Sequence, residues 1–398
     1  MVRTHRGRQF LSLLLAFVFL ASGQLASKAA EKEPAEAAKY DRHTSTDEET
    51  SGSSPILSPP SPHRILYVNP DGQLWSVGSD GSNPARVWAP GGKDNLRILD
   101  FDLAPDRHRV ALLRAIEYPQ TTDDSCPPTA HPPWKIEVLH LRTSQTRLLL
   151  SSDGQKDYIR LRSPRWSPDG KTIAYIRDND VWLLSPGKST RKRLTNLLIP
   201  DNSPPDHGSR WDVGVENFAW SPKGDKMAVE VGRLSGSGIR WIGIVDVASR
   251  KVTGLTSRDG DGQAMPAWSP SGKCSWLFYW TDLIVLDPDR HQEARFKMDS
   301  EDHDLIAWSL DGKYVACGGL EGPLCVFDPE QRKVVYSEPL EKAQKKPREG
   351  RNPVWLGDHI LIYWKDGAIW SWEPAGNQAR QIVASGYIPP FHPRIALD

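Results

Sequence analysis

From His63 onward the apolar residues fall in short alternating runs, among them Arg64-Ile-Leu-Tyr-Val68, Gln73-Leu-Trp-Ser-Val77, Thr172-Ile-Ala-Tyr-Ile176, Asp180-Val-Trp-Leu-Leu184, Leu283-Ile-Val-Leu286 and Ala368-Ile-Trp-Ser-Trp372. Gly, Pro, Asp and Asn separate them. Alternation with a period of two predicts half-buried strands, and these punctuating residues predict the turns between them. Two stretches depart from this pattern. Phe10–Ala21 is continuously apolar except for Ser12, behind Arg3, Arg6 and Arg8, with small residues following from Ala21 to Ala30. Residues 1–30 are therefore expected to be a secretory signal peptide, cleaved after Gly23 or near Ala29. An apolar core of 12 residues is short of the roughly 20 that a membrane span needs. No membrane span is expected after its removal. Residues 31–62 are rich in Glu, Lys, Ala, Ser and Pro and nearly lack large apolar groups. Such a segment cannot offset its chain entropy by burial and is read as a disordered linker.

A repeat organises the rest, residues 63–398. Pro164-Arg-Trp-Ser-Pro-Asp-Gly-Lys-Thr-Ile-Ala-Tyr175, Phe218-Ala-Trp-Ser-Pro-Lys-Gly-Asp-Lys-Met-Ala-Val229, Pro266-Ala-Trp-Ser-Pro-Ser-Gly-Lys-Cys274 and Ile306-Ala-Trp-Ser-Leu-Asp-Gly-Lys-Tyr-Val-Ala316 align directly. Weaker copies surround Leu103, Trp355 and Phe391. The anchors Trp166, Trp220, Trp268, Trp308 and Trp355 are structural: each ends a short inner strand and packs against the next unit. Ser-Pro-Asp-Gly then turns the chain, because Pro fixes φ, Asp bonds the turn backbone and Gly accepts positive φ. Second, third and fourth strands follow, the fourth in runs such as Arg191–Thr195 and Lys251–Leu255. Four strands in about 40–50 residues form a β-propeller blade.

Trp-Ser-Pro-Asp-Gly-Lys followed by an Ile-Ala-Tyr strand resembles the repeat of TolB-type propellers and of the propeller domain in prolyl-oligopeptidase-like peptidases. The resemblance implies an all-β fold and transfers no catalytic residue. Residues 63–398 allow 48 residues per blade for seven blades or 56 for six. Seven anchors favour seven, whereas the TolB resemblance would favour six. The first unit has no inner strand before it, and Arg394-Ile-Ala-Leu397 follows the last anchor. The C-terminal strand is thus expected to complete the first blade and close the ring, removing free sheet edges.

Composition agrees with this architecture. Sixteen Trp outnumber ten Tyr and nine Phe, beside 31 Gly and 33 Pro, which argues for short strands and many turns and against a helix bundle. Lys plus Arg and Asp plus Glu are both 50, which removes the basic surplus expected of a nucleic-acid binder. No Gly-x-Ser-x-Gly elbow occurs, since Ser235-Gly-Ser-Gly238 has the wrong spacing, and no hydrolase domain is expected after the propeller. Gly187-Lys-Ser189 lacks the upstream Gly of a phosphate loop. Asp259-Gly-Asp-Gly262 lacks the remaining ligands of a calcium loop. The 11 His are scattered. No catalytic residue, metal or cofactor is assigned. Cys126, Cys274, Cys317 and Cys325 permit disulfides in an exported chain. Buried free thiols are the simpler reading, and Cys317–Cys325 is the best pairing across one hairpin.

Long segments break the repeat at Ala115–Pro133, Asn196–Val215, Gly232–Arg240 and Ser337–Arg351. All fall on the face of second-to-third loops and blade-to-blade connections, opposite the Asp-Gly turns. Loops on a rigid scaffold carry function. Tyr118, Trp134, His207, Arg210, Trp211, Arg233 and Arg240 are the candidate partner-binding residues, because aromatics and Arg dominate binding energy. The expectation is an exported, non-enzymatic scaffold, periplasmic or extracellular, that binds a protein or peptide through this face. The alternative is a propeller enzyme, a lyase or hydrolase acting on carbohydrate, with its site at the channel mouth.

Overall fold

The computed structural model describes residues 63–397 apart from 92–94, 117–132, 153–160, 189, 198–212, 234–239, 257–262, 279–281, 288–291, 299–304, 320–322, 339–351, 358, 377 and 389–394. The signal and linker calls lie outside the described residues, as do Cys126 and most of the long insertions. Described residues form seven antiparallel sheets in chain order, with no helix. The first sheet holds β1 (Arg64–Val68), β2 (Leu74–Gly78) and β3 (Ala85–Trp88). The second holds β4 (Arg97–Leu103), β5 (Arg109–Ala115), β6 (Trp134–His140) and β7 (Gln145–Ser152), and the third β8 (Leu161–Trp166), β9 (Ile173–Arg177), β10 (Asp180–Ser185) and β11 (Thr190–Arg193). The fourth comprises β12 (Val213–Trp220), β13 (Lys226–Arg233), β14 (Arg240–Asp246) and β15 (Val252–Gly254), and the fifth β16 (Gln263–Trp268), β17 (Cys274–Phe278), β18 (Asp282–Asp287) and β19 (Gln292–Lys297). The sixth comprises β20 (Leu305–Trp308), β21 (Val315–Gly318), β22 (Cys325–Asp328) and β23 (Lys333–Ser337), and the seventh β24 (Val354–Leu356), β25 (Ile360–Lys365), β26 (Ala368–Glu373) and β27 (Gln378–Val383). The chain is a seven-bladed β-propeller, which resolves the choice between six and seven.

The C-terminal segment supplies the missing fourth element of the first sheet. Leu66 donates its N–H to Ile395 O at 2.8 Å, Leu397 donates to Arg64 O at 2.8 Å, and Tyr387 and Val68 exchange both main-chain bonds. These bonds give β1 a partner on its inner side, so the ring closes without an open edge there. The largest apolar cluster lies at this junction, where Ile65, Leu66 and Val68 meet Ile362, Ile369, Ile388 and Ile395.

Alternating burial turns one face of each sheet into a shared core with the next blade. β8 places Trp166 against Ala111, Ile136 and Tyr175. β24 places Trp355 against Ala316, Tyr363 and Trp372. The outermost strands show the weakest burial: Thr190–Lys192 of β11 and Gln378–Gln381 of β27 are exposed. Polar outer edges are the usual protection against edge-to-edge pairing.

Candidate functional site

Two of the repeats build the same local device at the channel. After Trp166, the Ser167 hydroxyl donates to Asp169 Oδ1 at 2.6 Å and accepts Thr172 N–H at 3.0 Å, while Gly170 N–H returns to Ser167 O at 2.9 Å. Gly170 has φ +66°, the left-handed region that glycine enters without a Cβ penalty. The Ser167 hydroxyl and the Lys171 N–H hold the Asp169 carboxyl below its usual range. Ser309, Asp311 and Tyr314 repeat the pattern. The turn is thus braced, and the residue two positions beyond each anchor is carried to the channel.

Those residues are Pro105, Pro168, Pro222, Pro270, Leu310 and Gly357, from six consecutive blades, and all line one cavity. The turns also interlock. The Pro105 ring lies 3.5 Å from where a Cβ would stand on Gly170, and Pro168 and Pro270 approach Gly224 and Gly312 of the following blades in the same way, at 3.3 and 3.6 Å.

Beneath this rim the anchor indoles form a ladder. Trp220 Nε1 donates to Arg165 O at 3.4 Å, Trp268 Nε1 to Ala219 O at 3.1 Å and Trp355 Nε1 to Ala307 O at 3.0 Å. In each pair the acceptor immediately precedes the anchor of the blade before. Trp308 uses a relay instead: its Nε1 donates to Ser275 Oγ at 2.8 Å, and that hydroxyl donates to Ala267 O at 3.3 Å. Trp166 receives the Arg109 guanidinium over its ring at 4.5 Å.

Rim and ladder enclose a cavity of about 790 Å³, within the range of about 300–1,000 Å³ typical of ligand pockets. It opens on the face of the Asp-Gly turns. Its lining is mainly apolar, with Asp102, Arg107, Arg165, Ser221 and His63 as polar members. Arg165 is committed to structure: it forks onto Asp100 at 3.0 and 3.2 Å and donates to Pro164 O at 2.8 Å. Asp102 Oδ2 accepts the Trp166 N–H at 2.7 Å. Burial pushes the Asp100 carboxyl up to about 6; Arg165 pulls it down and Asp102 adds to the rise.

Of the partner-binding candidates, Tyr118, His207, Arg210 and Trp211 lie outside the described residues. Arg233 ends β13 opposite Val213, and its side chain is likewise outside them. Trp134 begins β6 and is 7% exposed. Arg240 begins β14 and is ion-paired with Glu230 at 2.9 Å and Glu216 at 3.1 Å. Glu230, 0% exposed, also accepts from Asn217 Nδ2 at 2.7 Å and from Met265 N–H at 3.1 Å. This clasp ties the fourth blade to the fifth. The structure does not bring Trp134 and Arg240 into the cavity; its rim comes from repeat positions read in the sequence only as turns.

Among the described residues, no three His, Cys, Asp or Glu gather closely enough to hold a metal ion. Cys317 and Cys325 stand opposite one another on β21 and β22, and both are buried free thiols, as is Cys274. Burial pushes the Cys274 and Cys317 thiols well up, with Cys325 adding to the rise at Cys317.

No family model matches the chain. Over 165 residues, 39% of its length, it is 26% identical to "Uncharacterized peptidase YuxL" of Bacillus subtilis (strain 168), and the match spans 21% of that protein. Among solved structures it is similar to an oligogalacturonate lyase in complex with manganese, with a TM-score of 0.52 and 11% identity over 81% of this chain and 84% of that one. At that identity the likeness is one of fold.

Proposed function

We propose that this protein is an exported, non-enzymatic propeller of TolB type that binds a protein or peptide segment, and that the segment is taken at the channel mouth on the Asp-Gly face. One observation carries this reading: the mouth is rimmed by Pro105, Pro168, Pro222, Pro270 and exposed Leu310 over a floor of indoles. Aromatic-lined concavities suit extended peptide chains. The buried charges that line the mouth, Arg165 and Asp102, are engaged by Asp100 and by the Trp166 N–H respectively, which favours a scaffold over a reactive centre. The long loops on the opposite face remain a second contact surface in this reading. The test is selection of binders from a displayed peptide library against the full chain, followed by Leu310→Asp. Loss of binding by about tenfold or more, ~1.4 kcal/mol, supports the mouth. Unchanged binding counts against it.

The fold likeness to a lyase favours a second reading, an enzyme acting on carbohydrate at the mouth. Incubation with oligogalacturonate, with and without manganese, separates the two. Chain cleavage would establish the enzyme reading, and intact substrate under both conditions would favour the scaffold.

A further inference from the structure

The turn of the second blade carries a side chain that its backbone does not call for. Gly170, Gly224, Gly272 and Gly312 donate their N–H to Ser167 O, Ser221 O, Ser269 O and Ser309 O at 2.9–3.0 Å, and Arg107 donates to Ala104 O at 2.9 Å in the same way. All five have positive φ: +66°, +74°, +88° and +72° at the glycines and +59° at Arg107. Glycine enters this region freely, whereas a residue with a Cβ is strained there. Arg107 is exposed and lines the mouth. Among the described residues its guanidinium has no hydrogen-bond or ion-pair partner. The adjacent carboxylate, Asp106, is taken by Arg109 at 2.7 Å and by the His108 N–H at 2.9 Å.

We propose that Arg107 is the carboxylate anchor of the mouth, and that the segment taken there carries an Asp or Glu beside a large apolar residue. This inference rests on the reading of the mouth as a peptide site and names the chemistry of its partner. Three physical arguments support it. The first is charge. Among the described residues the one carboxylate in the lining is Asp102, which is 1% exposed and accepts the Trp166 N–H, so none in the lining competes for the guanidinium. The second is geometry. A guanidinium forks onto a carboxylate through two parallel N–H bonds, and the half-buried Trp220, Trp268 and Trp308 offer apolar surface to the neighbouring side chain. The third concerns which carboxylate is held. Terminal carboxylates are captured in nests of backbone N–H groups. Pro105, Pro168, Pro222 and Pro270 have none, the Leu310 N–H bonds Gly357 O at 3.4 Å, and the turn glycines spend theirs on the serine carbonyls. A side-chain carboxylate needs only the guanidinium. The strain at Arg107 is then explained by its ligand, as left-handed residues at binding sites commonly are.

The experiment uses the full chain and peptides selected from the displayed library, resynthesised with an amidated C-terminus. Selected sequences should share an Asp or Glu next to a large apolar residue. Changing that acid to its amide should weaken binding by about fivefold, a difference that added salt shrinks. Arg107→Gly should bind the acid and amide peptides alike, and Arg107→Glu should prefer Lys at the same peptide position. Arg107→Gly gives the second blade the glycine of its neighbours, so its unfolding midpoint should equal or exceed that of the unaltered chain. A lower midpoint would make Arg107 a structural residue and overturn the proposal. Selected peptides without an acid, or an acid-to-amide loss that persists in Arg107→Gly, would also overturn it, while leaving the mouth in place if Leu310→Asp still weakens binding. Arg107-dependent binding that requires a free C-terminal carboxylate would overturn the side-chain assignment. Insensitivity of every peptide to Leu310→Asp would overturn the mouth reading itself.

Discussion

The indole N–H of Trp355 donates to the main-chain carbonyl of Ala307 at 3.0 Å, joining the seventh blade to the residue just before the sixth blade's anchor. Trp355 is buried, stacks on Tyr314 and meets Trp372 edge-on. Trp355→Phe should cost about 1–3 kcal/mol, the range for removing one partner of a buried hydrogen bond. Trp308→Phe should cost less, because Ser275 Oγ keeps its bond to Ala267 O. Denaturant unfolding of both variants checks the order. A larger loss at Trp308 would contradict the role assigned to the ladder.

The Asp100–Arg165 pair gives a prediction with a sign in pH. The folded carboxyl titrates near 6, above the unfolded value of about 3.9. Between these values the folded state binds more protons than the unfolded one, so this group's contribution to stability falls as pH rises from about 4 to 6. Asp100→Asn removes the titration. The unaltered chain should therefore lose stability relative to Asp100→Asn across that window and run parallel to it above. Chemical unfolding at a series of pH values measures the difference, and a gap that is constant with pH would contradict the assignment. Asp100→Ala should be severe, about 3–5 kcal/mol, because it leaves the buried Arg165 charge without its carboxylate.

Close approach between blades predicts a third effect. A Cβ on Gly214 would stand 2.2 Å from Asn179 Cβ and 3.0 Å from Asn179 Cα. Val215 N–H also bonds Asn179 O at 2.8 Å, so strand and turn cannot separate without losing that bond. Gly214→Ala should lower the unfolding free energy by more than the roughly 1 kcal/mol typical of a point mutant. A neutral result in thermal unfolding would show that the two blades can move apart freely.

The three described cysteines should be silent in the native state. Cys274, Cys317 and Cys325 are buried, and the raised thiol pKa of Cys274 and Cys317 leaves little nucleophilic thiolate there. Alkylation followed by peptide mass analysis should label them only after unfolding. Rapid native labelling, or a linked Cys317–Cys325 peptide, would contradict the free buried thiols.

The repeat made the fold legible. Asp180–Leu184, Leu283–Leu286 and Ala368–Trp372 are third strands within a residue or two of their observed ends; Trp166, Trp220, Trp268 and Trp308 close inner strands, and Trp355 stands one residue before the end of its own. Closure of the first blade by the C-terminal segment, seen at Ile395 and Leu397, also followed from the missing inner strand of the first unit. The site was less legible, for a physical reason. Pro168 and Pro222 have a sufficient local explanation as turn residues, so nothing local marks them as a rim; that role exists only once six turns are brought around one axis. Asp100 and Arg165 are 65 positions apart and meet only through packing of neighbouring inner strands. Trp134 and Arg240 stood out because they lie outside the repeat, yet one is buried in its blade and the other is held by Glu216 and Glu230.

The most direct test of the central claim is the hydrogen-exchange footprint of a library-selected peptide bound to the full chain. Slowed exchange should fall on the turns at 167–171, 221–225, 269–273 and 309–313, with little change on the opposite face. Protection confined to the insertions at 198–212 and 234–239, with the Asp-Gly turns unaltered, would contradict the mouth as the binding site.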